Sequence, residues 1–289
     1  MKTRLAWLLY VTGVTRFAAW WNRKHVVILN YHGIADDEPS HLDLSVSLKT
    51  FQAQIGYLGR RHNLISLSDF LTANLAGKQL PNYSVVLTFD DGYRNFLRVA
   101  PFLFENKIPA TLFLVTDMMR QTGETSGSIH NHADKLSWEE VQELDRLGIF
   151  DFGSHTCSHA SLPNLSPEEV DRELRQSLIE LRGRVTNATA ALAYPNGAHS
   201  GLASERVASA GYMCALTIDP GPNKIGVNPY RLRRQTIKGA DDKRMFAARL
   251  SCLTSWLYSL RGTAIAIQER LKPSVAASDR NSRGIAERE

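Results

Sequence analysis

Ser84-Val85-Val86-Leu87-Thr88-Phe89-Asp90-Asp91-Gly92 is an apolar, partly β-branched run that ends on two adjacent carboxylates and a glycine. Its length and valine content predict a buried strand over residues 84–89, with a turn where the aspartates begin. Runs of the same kind recur on both sides: Val26 to Tyr31, Leu64 to Ser66, Ala110 to Val115, Phe150 to Ser154, Ala190 to Tyr194, Met213 to Thr217 and Leu232 to Ile237. Helical patterns separate them, over residues 48–61, 68–75, 93–106, 138–147, 167–185, 202–210 and 241–260. Ser137 with Glu140, and Ser166 with Pro167 and Glu169, read as helix starts of the capping-box kind, and Gly148 and Gly211 read as helix stops. Strand and helix alternating in this way demand a mainly parallel sheet. The fold class is therefore α/β, and the number of units favours a (β/α) barrel over an open sheet.

Composition narrows the function classes. The 289 residues are 43% hydrophobic and 22% charged, which excludes collagen-like, wholly disordered and multi-pass membrane chains. Cys157, Cys214 and Cys252 are too few and too scattered for a disulfide framework or a cysteine zinc site. The net charge of +5 arises from Lys2, Arg4, Arg16, Arg23 and Lys24, since no acid precedes Asp36. The remaining charges balance, so no nucleic-acid footprint is expected. Residues 1–25 read as a basic amphipathic helix: Arg16 interrupts the apolar run, which is too short to span a bilayer, and no signal-cleavage pattern follows. Such a helix packs on the domain or lies on an anionic membrane surface, giving possible peripheral membrane association. The expected location is the cytoplasm or the inner face of the membrane rather than the secreted fraction. Residues 26–260 form the barrel domain, and residues 261–289 are expected to be a largely disordered tail.

Reactive groups in a parallel barrel gather where strands enter the following loops. His32, the pair Asp90 and Asp91, His155, the stretch Tyr194-Pro195-Asn196, and Asp219 all stand at such ends. Adjacent carboxylates repel unless a cation or an arginine sits between them. His155 and His159, four apart, can turn two imidazoles to one point, and one carboxylate completes a two-histidine, one-carboxylate metal set. Such a site suits hydrolysis, with one aspartate holding the ion and the other taking a proton from water. Spacing alone does not say which is which.

Thr88 to Gly92 and Ser154-His155-Thr156-Cys157-Ser158-His159 resemble the first two motifs of the polysaccharide deacetylase family, carbohydrate esterase family 4, with its chitooligosaccharide-deacetylase homology domain. Supporting stretches are Val26 to Gly33, Ala110 to Val115, Leu136 to Val141, Ala193 to Gly197 and Tyr230 to Arg234, so the likeness runs from Val26 to Ile237. The resemblance implies a distorted barrel, often of seven strands, that removes N-acetyl groups from the amino sugars of an N-acetylated glycan with a divalent metal. Zn2+ is the expected ion, with Co2+ or Ni2+ as alternatives. Asp90 matches the catalytic base, and Asp91, His155 and His159 match the metal ligands. Where the family's third motif commonly has arginine, this chain has Ala193, so another arginine must orient the base; Arg234 is preferred over Arg231 and Arg233. The usual late histidine is also missing, and His32, in an early Tyr-His segment, takes the general-acid role, with His199 in reserve. A backbone N–H near Asn196 is expected at the oxyanion. Tyr194, with Tyr93 and Trp138, is a candidate sugar-stacking residue. His130 and His132 lie in a loop expected to form a rim or lid.

Two other readings remain. A glycosidase using Asp90 leaves both histidines unexplained. A non-catalytic, metal-retaining carbohydrate-binding protein is compatible with the two departures from the family pattern.

Overall fold

The computed structural model describes residues 8–35, 44–119, 134–253 and 255. Its main sheet is parallel throughout. The first strand, β1 (Val27–Tyr31), is followed by a short pair, β2 (Ile34–Ala35) and β3 (Val46–Ser47), and then by β4 (Asn63–Leu64) and β5 (Ser84–Phe89). Next come β6 (Ala110–Leu114), β7 (Phe150–Ser154), β8 (Ala188–Ala193), β9 (Cys214–Leu216) and β10 (Gln235–Thr236). Seven of these lie side by side in the order β10-β1-β5-β6-β7-β8-β9, with β4 sharing an edge of β5 with β6. The two ends of the sheet are brought together by residues 232–236. Leu232 bridges Leu216 of β9, and Gln235, three residues on, pairs with Leu29 of β1. Arg234 sits in that seam.

The expected distorted seven-stranded barrel is thus present. Its central strands read as largely apolar runs because both faces are buried. Ile28, Val86, Phe113, Ala191, Ala193, Leu216 and Leu232 point inward, together with Leu67, Phe70 and Leu71 of helix α3 (Leu67–Leu75). Leu29, Leu87, Leu112 and Phe152 pack outward against the helices. Space inside is apportioned by size. A Cβ on Gly153 would stand 2.5 Å from the Phe113 ring and 2.9 Å from the Ala191 carbonyl oxygen, so glycine there makes room for the aromatic ring that fills the interior.

The outer helices are α1 (Val14–Trp21), α2 (Leu48–Gly59), α4 (Ala100–Glu105), α5 (Trp138–Arg146), α6 (Pro167–Arg184), α7 (Gly201–Ser209) and α8 (Lys243–Leu250). Ser137 and Ser166 make the anticipated capping boxes with Glu140 and Glu169, and Ser66 makes a third with Asp69. One expectation needs correction: residues 93–106 are not a single helix. Pro101 lacks the N–H that a continuous helix requires, and the segment splits into a 3-10 turn over Arg94–Arg98 and the short α4. Helix α8 begins at Lys243, with Asp242 as its N-cap, and the later part of the helix expected to Leu260 lies outside the described residues. The tail at 261–289 and the histidines at 130 and 132 lie outside them too. All three cysteines are buried and unpaired.

Candidate active site

Strand register brings the reactive groups together. Tyr31 of β1 pairs with Phe89 of β5, so His32 and Asp90 leave the sheet side by side, and the Asp90 N–H donates to the Tyr31 carbonyl at 3.0 Å. Leu114 of β6 pairs with Ser154 of β7, which aligns His155 at the next rim position.

Asp90 is fully enclosed and meets Arg234 in a two-pronged ion pair, with Nη1 donating to Oδ1 at 2.7 Å and Nη2 to Oδ2 at 2.8 Å. Arg234 is 0% exposed, and its fork is aimed by further bonds from Nε to the Thr217 carbonyl and from Nη1 to Thr88 Oγ1. Burial raises the Asp90 pKa, but the Arg234 guanidinium, aided by His155 and His32, outweighs it and holds the carboxyl below its usual range.

Asp91 faces away from that pair. Its Oδ1 stands 3.3 Å from His159 Nε2 and 3.5 Å from His155 Nε2. His155 Nδ1 lies 2.7 Å from the Ala193 carbonyl, which can only accept, so the proton sits on Nδ1 and the Nε2 lone pair is turned into the site. A tetrahedral ion with ligands at about 2.0 Å holds neighbouring ligand atoms about 3.3 Å apart. The three donor atoms, all within 4.8 Å of one another, therefore fit one divalent metal with positions left open. Burial pushes the Asp91 pKa up, but the hydrogen bond with His159 and the charges of His155, Lys135 and His32 bring it well below the ordinary carboxylate range.

These loops are strained in a consistent way. Asp91, Thr156, His159 and Asn196 all take left-handed backbone angles, with φ of 71°, 66°, 63° and 55°, a conformation that costs non-glycine residues of order 1 kcal/mol each. Gly92 also has positive φ, and a Cβ there would meet the Met119 methyl at 2.8 Å and a Leu114 methyl at 3.0 Å, so the Asp-Asp-Gly turn favours glycine. The histidine loop is held from behind by α6. Glu173 accepts the backbone N–H groups of Cys157 and Ser158 at 2.9 and 3.0 Å and the Ser158 hydroxyl at 2.8 Å. This buried carboxylate escaped sequence reasoning because a glutamate in a charged helix looks like solvated surface.

Residues 77–215, which carry both aspartates and both histidines, match the family profile described as polysaccharide deacetylase. That segment of the chain, residues 77–215, thus carries a polysaccharide deacetylase domain. The chain is 25% identical to YxkH of Bacillus subtilis, a protein named as a polysaccharide deacetylase, over 78% of its own length and 76% of that protein's. It is 30% identical to a Staphylococcus aureus poly-β-1,6-N-acetyl-D-glucosamine N-deacetylase over 53% of its length, and spans about half (54%) of that relative. The crystal structure of BC0361, a polysaccharide deacetylase from Bacillus cereus, superposes with a TM-score of 0.66 at 25% identity, covering 78% of this chain and 69% of that one.

Where the resemblance implies a third-motif arginine the chain has Ala193, and the fold supplies a guanidinium from elsewhere. Ala193 is buried in the barrel, and its carbonyl fixes His155, while the guanidinium on Asp90 comes from Arg234 on the closing seam. His32 joins the same cluster and feels both aspartates, Arg234 and His159. Burial lowers its pKa, the two carboxylates pull it back up, and its buried Nδ1 has no partner among the described residues. Asn196 is exposed on the 3-10 turn Pro195–Gly197. His199 lies against the ring of Tyr194, with Nδ1 3.0 Å from the Gly197 carbonyl, where it braces that turn.

The aromatic candidates are corrected. Tyr194 is fully buried and spends its hydroxyl on Ser204 Oγ and the Tyr230 carbonyl, so no ring face is open to a sugar. Trp138 lies in the core beneath the helices. Tyr93 carries the Lys135 ammonium 3.7 Å over one face, and its hydroxyl bonds Asp91. Lys135 and the Tyr93 hydroxyl are thus additional neighbours of the metal set, and no spacing signal in the sequence links them to it.

Proposed function

We propose that this protein is a metal-dependent hydrolase that removes N-acetyl groups from an N-acetylated glycan, with polymeric β-linked N-acetylglucosamine as the substrate class. The observation that carries the reading is the juxtaposition of an arginine-clamped aspartate, Asp90, with the open set Asp91, His155 and His159. The names of its relatives support the substrate class. Zn2+ suits two imidazoles and one carboxylate in this spacing, and Co2+ or Ni2+ would be accepted by the same donors.

When bound, the ion polarises the amide carbonyl and makes a water acidic enough to be deprotonated near neutrality. Asp90 takes that proton on a carboxylate oxygen, held in line by Arg234. The backbone N–H at Asn196 donates to the oxygen that gains negative charge as the carbonyl carbon becomes tetrahedral. His32 supplies a proton to the departing nitrogen, so water and amide become acetate and a free amine. Burial lowers the His32 pKa, and the charge of Asp90 beside it favours the protonated imidazole that this step needs.

Acetate release from β-1,6-linked N-acetylglucosamine oligomers tests the reading. Release is expected to vanish with a chelator and return with zinc. Zinc-loaded protein that binds the oligomer without releasing acetate would instead establish the carbohydrate-binding alternative.

A further inference from the structure

Helix α1 is packed inside out. Its one buried side chain is Thr15, 3% exposed, whose hydroxyl has no hydrogen-bond partner among the described residues. Its large apolar residues face water: Val14, Phe17 and Trp21, spaced three and four apart on one face, with Phe17 60% and Trp21 68% exposed. The Phe17 ring lies 5.8 Å from Trp20 and 6.2 Å from Trp21, so the three form one continuous patch, which Val11 and Leu8 extend. An ordinary surface helix turns such residues inward.

Cations frame the patch. Arg23 stacks 4.5 Å over Trp20 and donates to its carbonyl. Beside α1 runs a groove of about 1380 Å3 lined by Arg16, Arg60, Arg61 and Lys243 with aromatic walls that include Tyr57 and Tyr83, and no carboxylate lines it. Arg61 and His62 lead into β4 and Tyr83 leads into β5, so the groove opens at the N-terminal edge of the sheet. Asp90 stands at the far end of β5, about 20 Å away along the strand.

We propose that α1 and this groove form a docking face for an anionic lipid bilayer, the aromatic patch entering the interface and the four cations meeting the lipid phosphates. Tryptophan and phenylalanine beside arginine and lysine are the side chains that an acyl–headgroup boundary accepts, and the cation-only lining complements negative charge. Among the described residues no helix is long and apolar enough to cross a membrane. Docking in this way turns the catalytic rim toward the water, where a polymer can reach it.

Co-sedimentation of the full chain with phosphatidylcholine vesicles, with and without phosphatidylglycerol, tests the proposal. Binding is expected to be at least about tenfold stronger with phosphatidylglycerol and to fall with salt. Phe17→Ser combined with Trp21→Ser, both exposed and so tolerated by the fold, should weaken it at least about tenfold. Arg60→Glu with Arg61→Glu should abolish the preference for the anionic lipid. Acetate release from a soluble oligomer is expected to stay unchanged in all these variants, which keeps the test separate from the catalytic reading. Equal pelleting of the Ser variant and the parent overturns the proposal. So does absence of vesicle binding together with a dimer that the Ser variant dissociates, which would assign the patch to a second copy.

Discussion

Asp90 and Asp91 are chemically identical neighbours whose surroundings give them different work. Asp90 is clamped by Arg234, and Asp91 is turned to two imidazoles. Replacing Asp90 by Asn should retain metal, measured by elemental analysis of the dialysed protein, while turnover falls by at least about a hundredfold. Metal loss with activity retained would reverse the assignment. Arg234→Met leaves a buried charge unpaired and should cost about 3–5 kcal/mol in urea unfolding. The double variant with Asp90→Asn should be more stable than Arg234→Met alone, because the stranded charge is gone. Glu173→Gln weakens the acceptor that fixes the histidine loop. The expected result is a loss of about 10–100-fold in zinc affinity by competition with a chromophoric chelator, with little change in melting temperature. The aspartates and histidines could be picked out from residue type and position after a strand. Glu173, Lys135 and the fully enclosed state of Arg234 could not, because their sequence surroundings are those of ordinary surface charges.

The strands and most helices follow from local chemistry: β-branched runs, serine caps with glutamate three residues on, and glycines past the helix ends. A helix was misread where a single residue overrode a longer pattern, as Pro101 does in dividing residues 93–106. The two-residue strands β2 and β3 are too short for any periodicity to mark them. Sheet packing makes its own prediction at Gly153. An alanine there would drive a methyl into the Phe113 ring and the Ala191 carbonyl, and the overpacking should cost about 1–3 kcal/mol. Phe113→Leu in the same chain should recover part of that loss in thermal or urea unfolding.

Barrel closure and bound metal act on the folded chain together. An ion that binds the native triad and has no such site in the unfolded chain raises stability by mass action, so chelation should lower the melting temperature measured in zinc. Acid should also destabilise the fold through His62, which burial and the neighbouring Arg61 push down to about 4 from 6.5. Below 6.5 the unfolded chain binds a proton that the folded chain refuses. This contribution is therefore complete above that pH and is lost as the pH falls toward 4. His62→Gln should flatten the corresponding part of the stability profile in denaturant titrations.

Amino-acid order alone was enough for the alternating architecture and for singling out Asp90, Asp91, His155 and His159, because these residue types follow strand ends that local pattern marks; it left open which aspartate faces the imidazoles. Which arginine holds Asp90, which carboxylate braces the histidine loop, and that Tyr194 is sealed inside were decided only when the sheet curled. These depend on residues 144, 16 and 36 positions apart meeting through packing. The outward-facing aromatics of α1 belong to the same class. An amphipathic pattern tells that a helix has two faces, and only the folded chain tells which of them meets the protein.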